Sequence, residues 1–200
     1  MKKILFLFLA ILALFFNACS KENENYEEFL FEDYKKGDKI TLNSVNGGSK
    51  TLLRTDNGFV VEGEEEKVLM FDFFGTFCTP CKEEALELSK LWKNNADKFM
   101  IIGLTHFESV SDEAVKKFAD DYGAYYFLSN GETNDRIIAQ ILKDINYQSM
   151  EQLPFKVVLK NGIYQKLSDY WNNNLPVNFY LGKVPTRLMQ EDLNKIYEGK

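Results

Sequence analysis

The chain reads as an α/β protein: a central mixed sheet flanked by helices, with a β-hairpin added on its N-terminal side. Three observations predict this. Between residues 68 and 145, apolar runs of strand length alternate with stretches of helical periodicity, the pattern of strands joined through helices. A strand pair around Asn161-Gly162, followed by a last helical stretch, breaks the alternation and makes the sheet mixed. Ahead of them, two short β-rich runs flank Asn46-Gly47-Gly48 and give the hairpin.

Taken in order, Ser20 to Lys36 is polar and acidic with scattered aromatics, a spacer with a short helix predicted around Tyr26 to Tyr34. Lys39 to Leu42 and Lys50 to Leu53 are the hairpin strands, and Phe59-Val60-Val61 adds a third short run. Glu62, Glu64, Glu65 and Glu66 form an acidic cluster, read as a solvated loop because nothing in the sequence fixes a metal geometry there. Val68 to Phe74 is almost wholly apolar, as a strand buried on both faces must be. A helix from Thr79 to about Trp92 places Cys81, Ala85, Leu88 and Trp92 on one face. Met100 to Leu104 is a second buried strand. Ser111 has N-capping character, and the helix after it buries Val115, Phe118, Ala119 and Tyr122 before Gly123 stops it. Tyr125 to Leu128 is a third strand, and Asp135 to Ile145 a helix with Ile138, Ile141, Leu142 and Ile145 inward. Phe155 to Leu159 and Ile163 to Leu167 form a hairpin across the two-residue turn Asn161-Gly162. Asp169 to Lys183 is irregular and aromatic, and Thr186 caps a last helix with Met189, Leu193 and Ile196 inward.

The N-terminus has the pattern of a targeting segment. Lys2 and Lys3 precede an uninterrupted apolar stretch from Ile4 to Phe16, which suits the core of a signal sequence better than a membrane span. Phe16-Asn17-Ala18-Cys19 follows, a small residue before a cysteine as in a bacterial lipobox, although Phe16 replaces the usual Leu. Cys19 is then the lipidation site, residues 1–18 the signal peptide and 19–37 the lipidated cysteine with its spacer. Ordinary cleavage near Ala18 and an uncleaved anchor are the alternatives, and both also place the body outside the cytoplasm. Removing Lys2 and Lys3 takes the net charge from −6 to −6 − 2 = −8, an acidic balance that excludes nucleic acid as a partner class.

With Cys19 assigned to the junction, Cys78 and Cys81 are the two cysteines of the body and pair with each other. So short a loop gives a structural disulfide little unfolded-state entropy to remove. A structural zinc site needs about four ligands, whereas the body offers two cysteines and the single histidine His106. Redox chemistry fits better. Cys78 stands where the helical pattern begins, facing unpaired N–H groups and the positive end of the helix dipole, both of which favour thiolate. A thiol with pKa about 8.5 is roughly 3% ionised at pH 7, and one near 7 about half, a gain of roughly 2 kcal/mol.

The strand ending in Gly75-Thr76-Phe77-Cys78-Thr79-Pro80-Cys81, together with Leu153-Pro154-Phe155 leading into Lys156 to Gly162 and the lipobox-like leader, resembles the thioredoxin superfamily. More narrowly, it resembles the extracytoplasmic TlpA/ResA-like thiol–disulfide oxidoreductases. The resemblance runs from about Asp38 to the C-terminus and implies a thioredoxin-like domain over residues 38–200. It implies that Pro154 is the cis-proline facing the cysteine pair, with Leu153 offering backbone groups to an extended substrate and Phe77, Thr79 and Pro80 lining the approach. Asp72 matches the buried aspartate that moves the proton of the second cysteine, and Glu84 the active-site glutamate of the ResA-like group. Burial raises either carboxyl towards neutrality, where it serves as a base for Cys81. Phe77 departs from the Trp usual in relatives and loses an indole donor. Thr79-Pro80 replaces the Gly-Pro of thioredoxin; proline still suits a first helical turn.

What the resemblance implies is a membrane-tethered periplasmic reductase of partner-protein disulfides, acting on apocytochrome c during cytochrome c maturation. It is fed by a DsbD/CcdA-type membrane electron donor, works as a monomer, and needs no metal or organic cofactor beyond the redox-active cysteine pair. A general periplasmic disulfide reductase, isomerase or oxidase shares the chemistry. A copper-binding chaperone is the non-enzyme alternative, since thiolates suit Cu(I), although such proteins of this fold use a wider cysteine spacing and a distant histidine. His106 follows the second buried strand, at the sheet edge where ligands gather, but a lone loop histidine is by default incidental. Trp92 and Trp171 are read as packing residues. Tyr170-Trp171 and Phe179-Tyr180 form a weaker candidate for a substrate-facing surface.

Overall fold

The computed structural model describes residues 31–173 and 175–199. The leader, its cleavage region and Cys19 lie outside the described residues. Among the described residues no helix is long and apolar enough to cross a membrane.

The main sheet is built on two strands buried along their whole length, β4 (Val68–Phe74) and β5 (Phe99–Thr105), which run parallel in register from Val68↔Phe99 to Phe74↔Thr105. β6 (Phe127–Ser129) continues the parallel side beyond β5. On the other side β7 (Phe155–Lys160) pairs antiparallel with β4, matching Phe73 to Phe155 and Asp72 to Lys156. β7 turns through Asn161-Gly162 into β8 (Ile163–Tyr164). Both turn residues have positive φ, 53° and 73°, as the tight two-residue hairpin requires. β11 (Tyr180–Leu181) closes the outer edge of β7, giving the order β11-β7-β4-β5-β6. The N-terminal hairpin is part of a separate three-stranded sheet, β1 (Lys39–Asn43), β2 (Ser49–Arg54) and β3 (Phe59–Val61). A further pair, β9 (Leu167–Ser168) with β10 (Pro176–Val177), lies in the aromatic stretch.

Helices cover both faces. α1 (Thr79–Asn94), α2 (Asp112–Tyr122) and α4 (Thr186–Glu198) pack on one face with Met70, Phe74, Ile101 and Val158. α3 (Thr133–Asp144) and the N-terminal sheet pack on the other with Phe71, Phe73, Ile102 and Val157. The period of two along a strand decides which side chain meets which layer. In β4 the even residues face α1, and in β7 residue 156 shares a face with Val158. The body reaches back to Tyr34, whose ring meets Phe59 edge-on and whose N–H donates to Gln140.

Several expectations are corrected. Residues 31–35 form no helix, and the rest of the helix predicted around Tyr26 to Tyr34 lies outside the described residues. β6 starts at Phe127, because Tyr126 turns inward from a loop instead of extending the strand. The strand predicted from Ile163 stops at Tyr164, and Asp169 to Lys183 is less irregular than its composition implies, since it contributes β10 and β11. Tyr122 is 38% exposed at the end of α2. In α1 Leu91 takes the buried place expected of Trp92, which is half-buried. Trp171 is 66% exposed, its indole N–H donating to the Leu181 carbonyl. Thr186 is the first residue of α4 and not its cap: Pro185 holds that position, and no side chain caps the helix.

Candidate active site

The apolar run of β4 ends at Phe74, and Gly75 to Phe77 carry the chain to Cys78, the N-cap of α1. Cys78 has extended dihedrals (φ −74°, ψ 110°), and its sulfur accepts from the Cys81 N–H at 3.3 Å, the bond an N-cap oxygen ordinarily makes. Pro80 sits in the first turn, where its missing N–H costs nothing, and no acidic residue occupies that turn. Cys78 and Cys81 form a disulfide with Cα atoms 5.3 Å apart. Both cysteines are buried, Cys81 at 3% exposed and Cys78 at 6%. Phe77 (56% exposed) and Thr79 are exposed beside them, and Pro80 is half-buried.

Opposite this loop is the start of β7. The Phe73↔Phe155 pairing puts Pro154 at the same sheet edge as Phe74 and the segment that leads to Cys78. The Leu153–Pro154 peptide is cis. Pro154 is buried and its carbonyl accepts from the Gly182 N–H at 2.8 Å, while Leu153 is half-buried. Among the described residues the Leu153 N–H and C=O have no backbone partner, so both can pair with an extended visiting segment.

Behind the disulfide lies a buried charged cluster. Asp72 (2% exposed) and Lys156 (0%) are cross-strand partners on the α1 face, and Glu84 (3%) comes from α1, one turn after Cys81. Lys156 Nζ lies 2.5 Å from Glu84 Oε1. Among the described residues neither Glu84 oxygen meets strict hydrogen-bond geometry, although Lys156 and the Val184 N–H both approach it and favour its charged form. Tyr126 donates its hydroxyl to Asp72 Oδ2 at 2.8 Å, and among the described residues Asp72 Oδ1 has no partner. Gly103 makes that bond possible. It faces Asp72 across the β4–β5 ladder, and a Cβ there would stand 3.2 Å from the Tyr126 ring and 2.6 Å from Leu128.

Burial raises the Asp72 carboxyl, opposed by the Lys156 charge and the Tyr126 hydroxyl. Burial likewise pushes Glu84 up to about 7, opposed by Lys156 and reinforced by Asp72. Tyr126 is held well above the ordinary phenol range by burial and by Asp72. One ammonium thus faces two carboxyls in a dry setting, where a second full negative charge is costly. The cluster therefore retains a proton near neutrality, and it can take one from, or give one to, a group in the first turn of α1. The structure brings together Cys78, Cys81, Asp72, Glu84, Leu153 and Pro154. Lys156 and Tyr126 were missed by sequence reasoning. Lys156 left a signal, the one charge inside the apolar run Phe155 to Leu159; Tyr126 left none.

His106 is not idle. Its ring nitrogens lie 2.9 Å from Asp135 Oδ1 and 2.7 Å from Glu151 Oε2. Among the described residues no group of three or more His, Cys, Asp or Glu could hold a metal ion.

No protein-family model matches the chain. Among curated proteins, thioredoxin-like protein YneN of Bacillus subtilis is 36% identical over 76 residues, which is 37% of this chain and 44% of that protein. The match thus spans less than half the length of that relative. Among solved structures, a thiol:disulfide interchange protein of the thioredoxin family from Chlorobium tepidum TLS superposes with a TM-score of 0.54 at 15% identity, covering 82% of this chain and 97% of that one. The thioredoxin domain of a thiol-disulfide oxidoreductase from Bacteroides vulgatus gives 0.51 at 15% identity, covering 84% and 99%. The fold is thioredoxin-like.

Proposed function

We propose that the chain is a thiol–disulfide oxidoreductase acting as a reductase of disulfides in partner proteins. The observation that carries this reading is the Cys78–Cys81 disulfide at the start of α1, backed by the Asp72–Lys156–Glu84 cluster and faced by the free backbone of Leu153. In the dithiol form the Cys81 N–H and the helix dipole stabilise a Cys78 thiolate. That thiolate attacks one sulfur of the partner disulfide. The partner S–S bond breaks, a mixed disulfide forms, and the first partner sulfur leaves as thiolate and takes a proton. Cys81 gives its proton to the carboxyl cluster and attacks the Cys78 sulfur. The mixed disulfide breaks, the second partner thiol leaves, and the Cys78–Cys81 disulfide is re-formed with two electrons delivered to the partner.

The setting extends the proposal. The Lys2-Lys3 and Ile4 to Phe16 leader ending in Cys19 supports an extracytoplasmic, membrane-tethered lipoprotein. The resemblance to TlpA/ResA-like proteins supports apocytochrome c as the partner and a DsbD/CcdA-type donor as the source of electrons. The test is trapping. Cys81→Ala locks Cys78 into mixed disulfides that mass spectrometry identifies, with partners bearing paired haem-attachment cysteines expected; a catch without them removes the cytochrome assignment. A midpoint potential near the oxidising end of the known range, about −120 mV, would overturn the reductase direction.

A further inference from the structure

The segment between β5 and α2 ties together the two loops that face a visiting chain. His106 donates its backbone N–H to the Phe74 carbonyl at 2.9 Å, fixing the segment to the end of β4. Two residues on, Glu108 accepts from both the Thr76 N–H and the Thr76 hydroxyl, each at 2.6 Å. Thr76 belongs to the loop that delivers Cys78. The His106 ring meets Asp135 in the first turn of α3 and Glu151, three residues before Pro154. Both partners are carboxylates and only accept, so the ring satisfies both when it carries two protons. Between these anchors Phe107 holds φ +61°, a backbone conformation rare for an aromatic residue and kept where the surroundings over-determine it. Its ring stacks on His106 at 3.9 Å and is 54% exposed. Phe77, next to Thr76, is similarly exposed.

We propose that His106-Phe107-Glu108 is a positioning strap that holds the Thr76-Phe77 loop and the Glu151 to Pro154 segment at a fixed separation, so that a partner protein's extended segment lies with its disulfide over Cys78. The proposal rests on the oxidoreductase reading. It assigns these residues no contact with the reacting sulfurs: they act through Thr76 and through the segment before Pro154. The charged groups facing the His106 ring are Asp135 from α3 and Glu151 from the segment before Pro154; Phe73 of β4 and Phe107 are its aromatic neighbours.

The experiment compares two disulfides on the full chain and on Glu108→Ala, Glu151→Ala and the double variant. One is insulin, which must dock; the other is hydroxyethyl disulfide, which needs only a reactive Cys78. For insulin each single variant is expected to raise KM by about tenfold with kcat within about twofold, the signature of a loosened docking surface over an intact chemical step. The rate with hydroxyethyl disulfide stays within about twofold of the parent. Because one strap serves both contacts, the double variant is expected to be no worse than about twice the weaker single. Glu108→Gln keeps an acceptor oxygen and restores most of the insulin KM. The parent KM rises as His106 loses its second proton, and Glu151→Ala flattens that pH profile. Equal losses on both disulfides, or an unchanged insulin KM, would overturn the strap. A parent chain that reduces neither disulfide would instead bring down the oxidoreductase reading, and the strap with it.

Discussion

Glu84→Gln in the oxidised protein isolates what the buried cluster does to stability. In the unfolded chain this carboxyl titrates near 4.5; in the fold, burial and Asp72 move it to about 7 against the pull of Lys156. Between those values the folded state keeps a proton that the unfolded state has released. Stability therefore falls as pH rises through the window, by about 1.4 kcal/mol per unit for one proton. Over the interval from 4.5 to about 7 the loss is roughly 3 kcal/mol, large beside a typical total of 5–15. Glutamine has the same shape and cannot ionise, so the variant escapes the loss. Urea unfolding from pH 4 to 9 is expected to show the stability difference, variant minus parent, at a constant baseline below pH about 4.5, rising through the window and flat above about 7. The plateau lies roughly 3 kcal/mol above that baseline. A difference independent of pH would refute the argument, because it would mean that Glu84 ionises in the fold as easily as in the chain. A difference of opposite slope would mean that Lys156 outweighs burial.

Lys156→Met removes the one cation from between two carboxyls. Urea unfolding at pH 8 is expected to show a loss of about 3 kcal/mol or more, shrinking at pH 5 where Glu84 holds its proton. Gly103→Ala puts a Cβ 2.6 Å from Leu128 and 3.2 Å from the Phe74 and Tyr126 rings, with an expected loss of about 1–3 kcal/mol in the same assay. Cys78→Ser abolishes insulin reduction and leaves no mixed disulfide to trap, whereas Cys81→Ala accumulates one; equal trapping by both variants, seen on a non-reducing gel, would contradict the order of attack.

The parts of the fold legible in the sequence are those where one signal decides. Val68 to Phe74 has no solvent face, Asn161-Gly162 permits positive φ twice, and Ser111 and Gly123 bound α2 as expected. β10 and β11 were illegible because two-residue strands have no periodicity; their place is set by what they pair with, Leu167-Ser168 and Phe155-Lys156. The cap of α4 was misassigned because Thr186 has the right chemistry, but Pro185 already supplies the entry geometry. At the site, Cys78 and Cys81 could be read from their spacing at a strand-to-helix junction, and Asp72 and Glu84 from the family resemblance. Lys156, Tyr126 and the partners of His106 could not. They stand 29 to 84 positions from the residues they meet, and only the strand register and the loop crossings bring them together. A charge inside an apolar run is the trace such a residue leaves, and it becomes interpretable once Asp72 is found across the ladder.

Ionisation of Cys78 is the step on which the account depends, and the pH dependence of its alkylation by iodoacetamide in the reduced protein measures it directly. Half-maximal reactivity is expected below the midpoint of an ordinary thiol, because the Cys81 N–H and the start of α1 favour the charged sulfur. A midpoint at about 8.5 or above, that of an ordinary thiol, would contradict it.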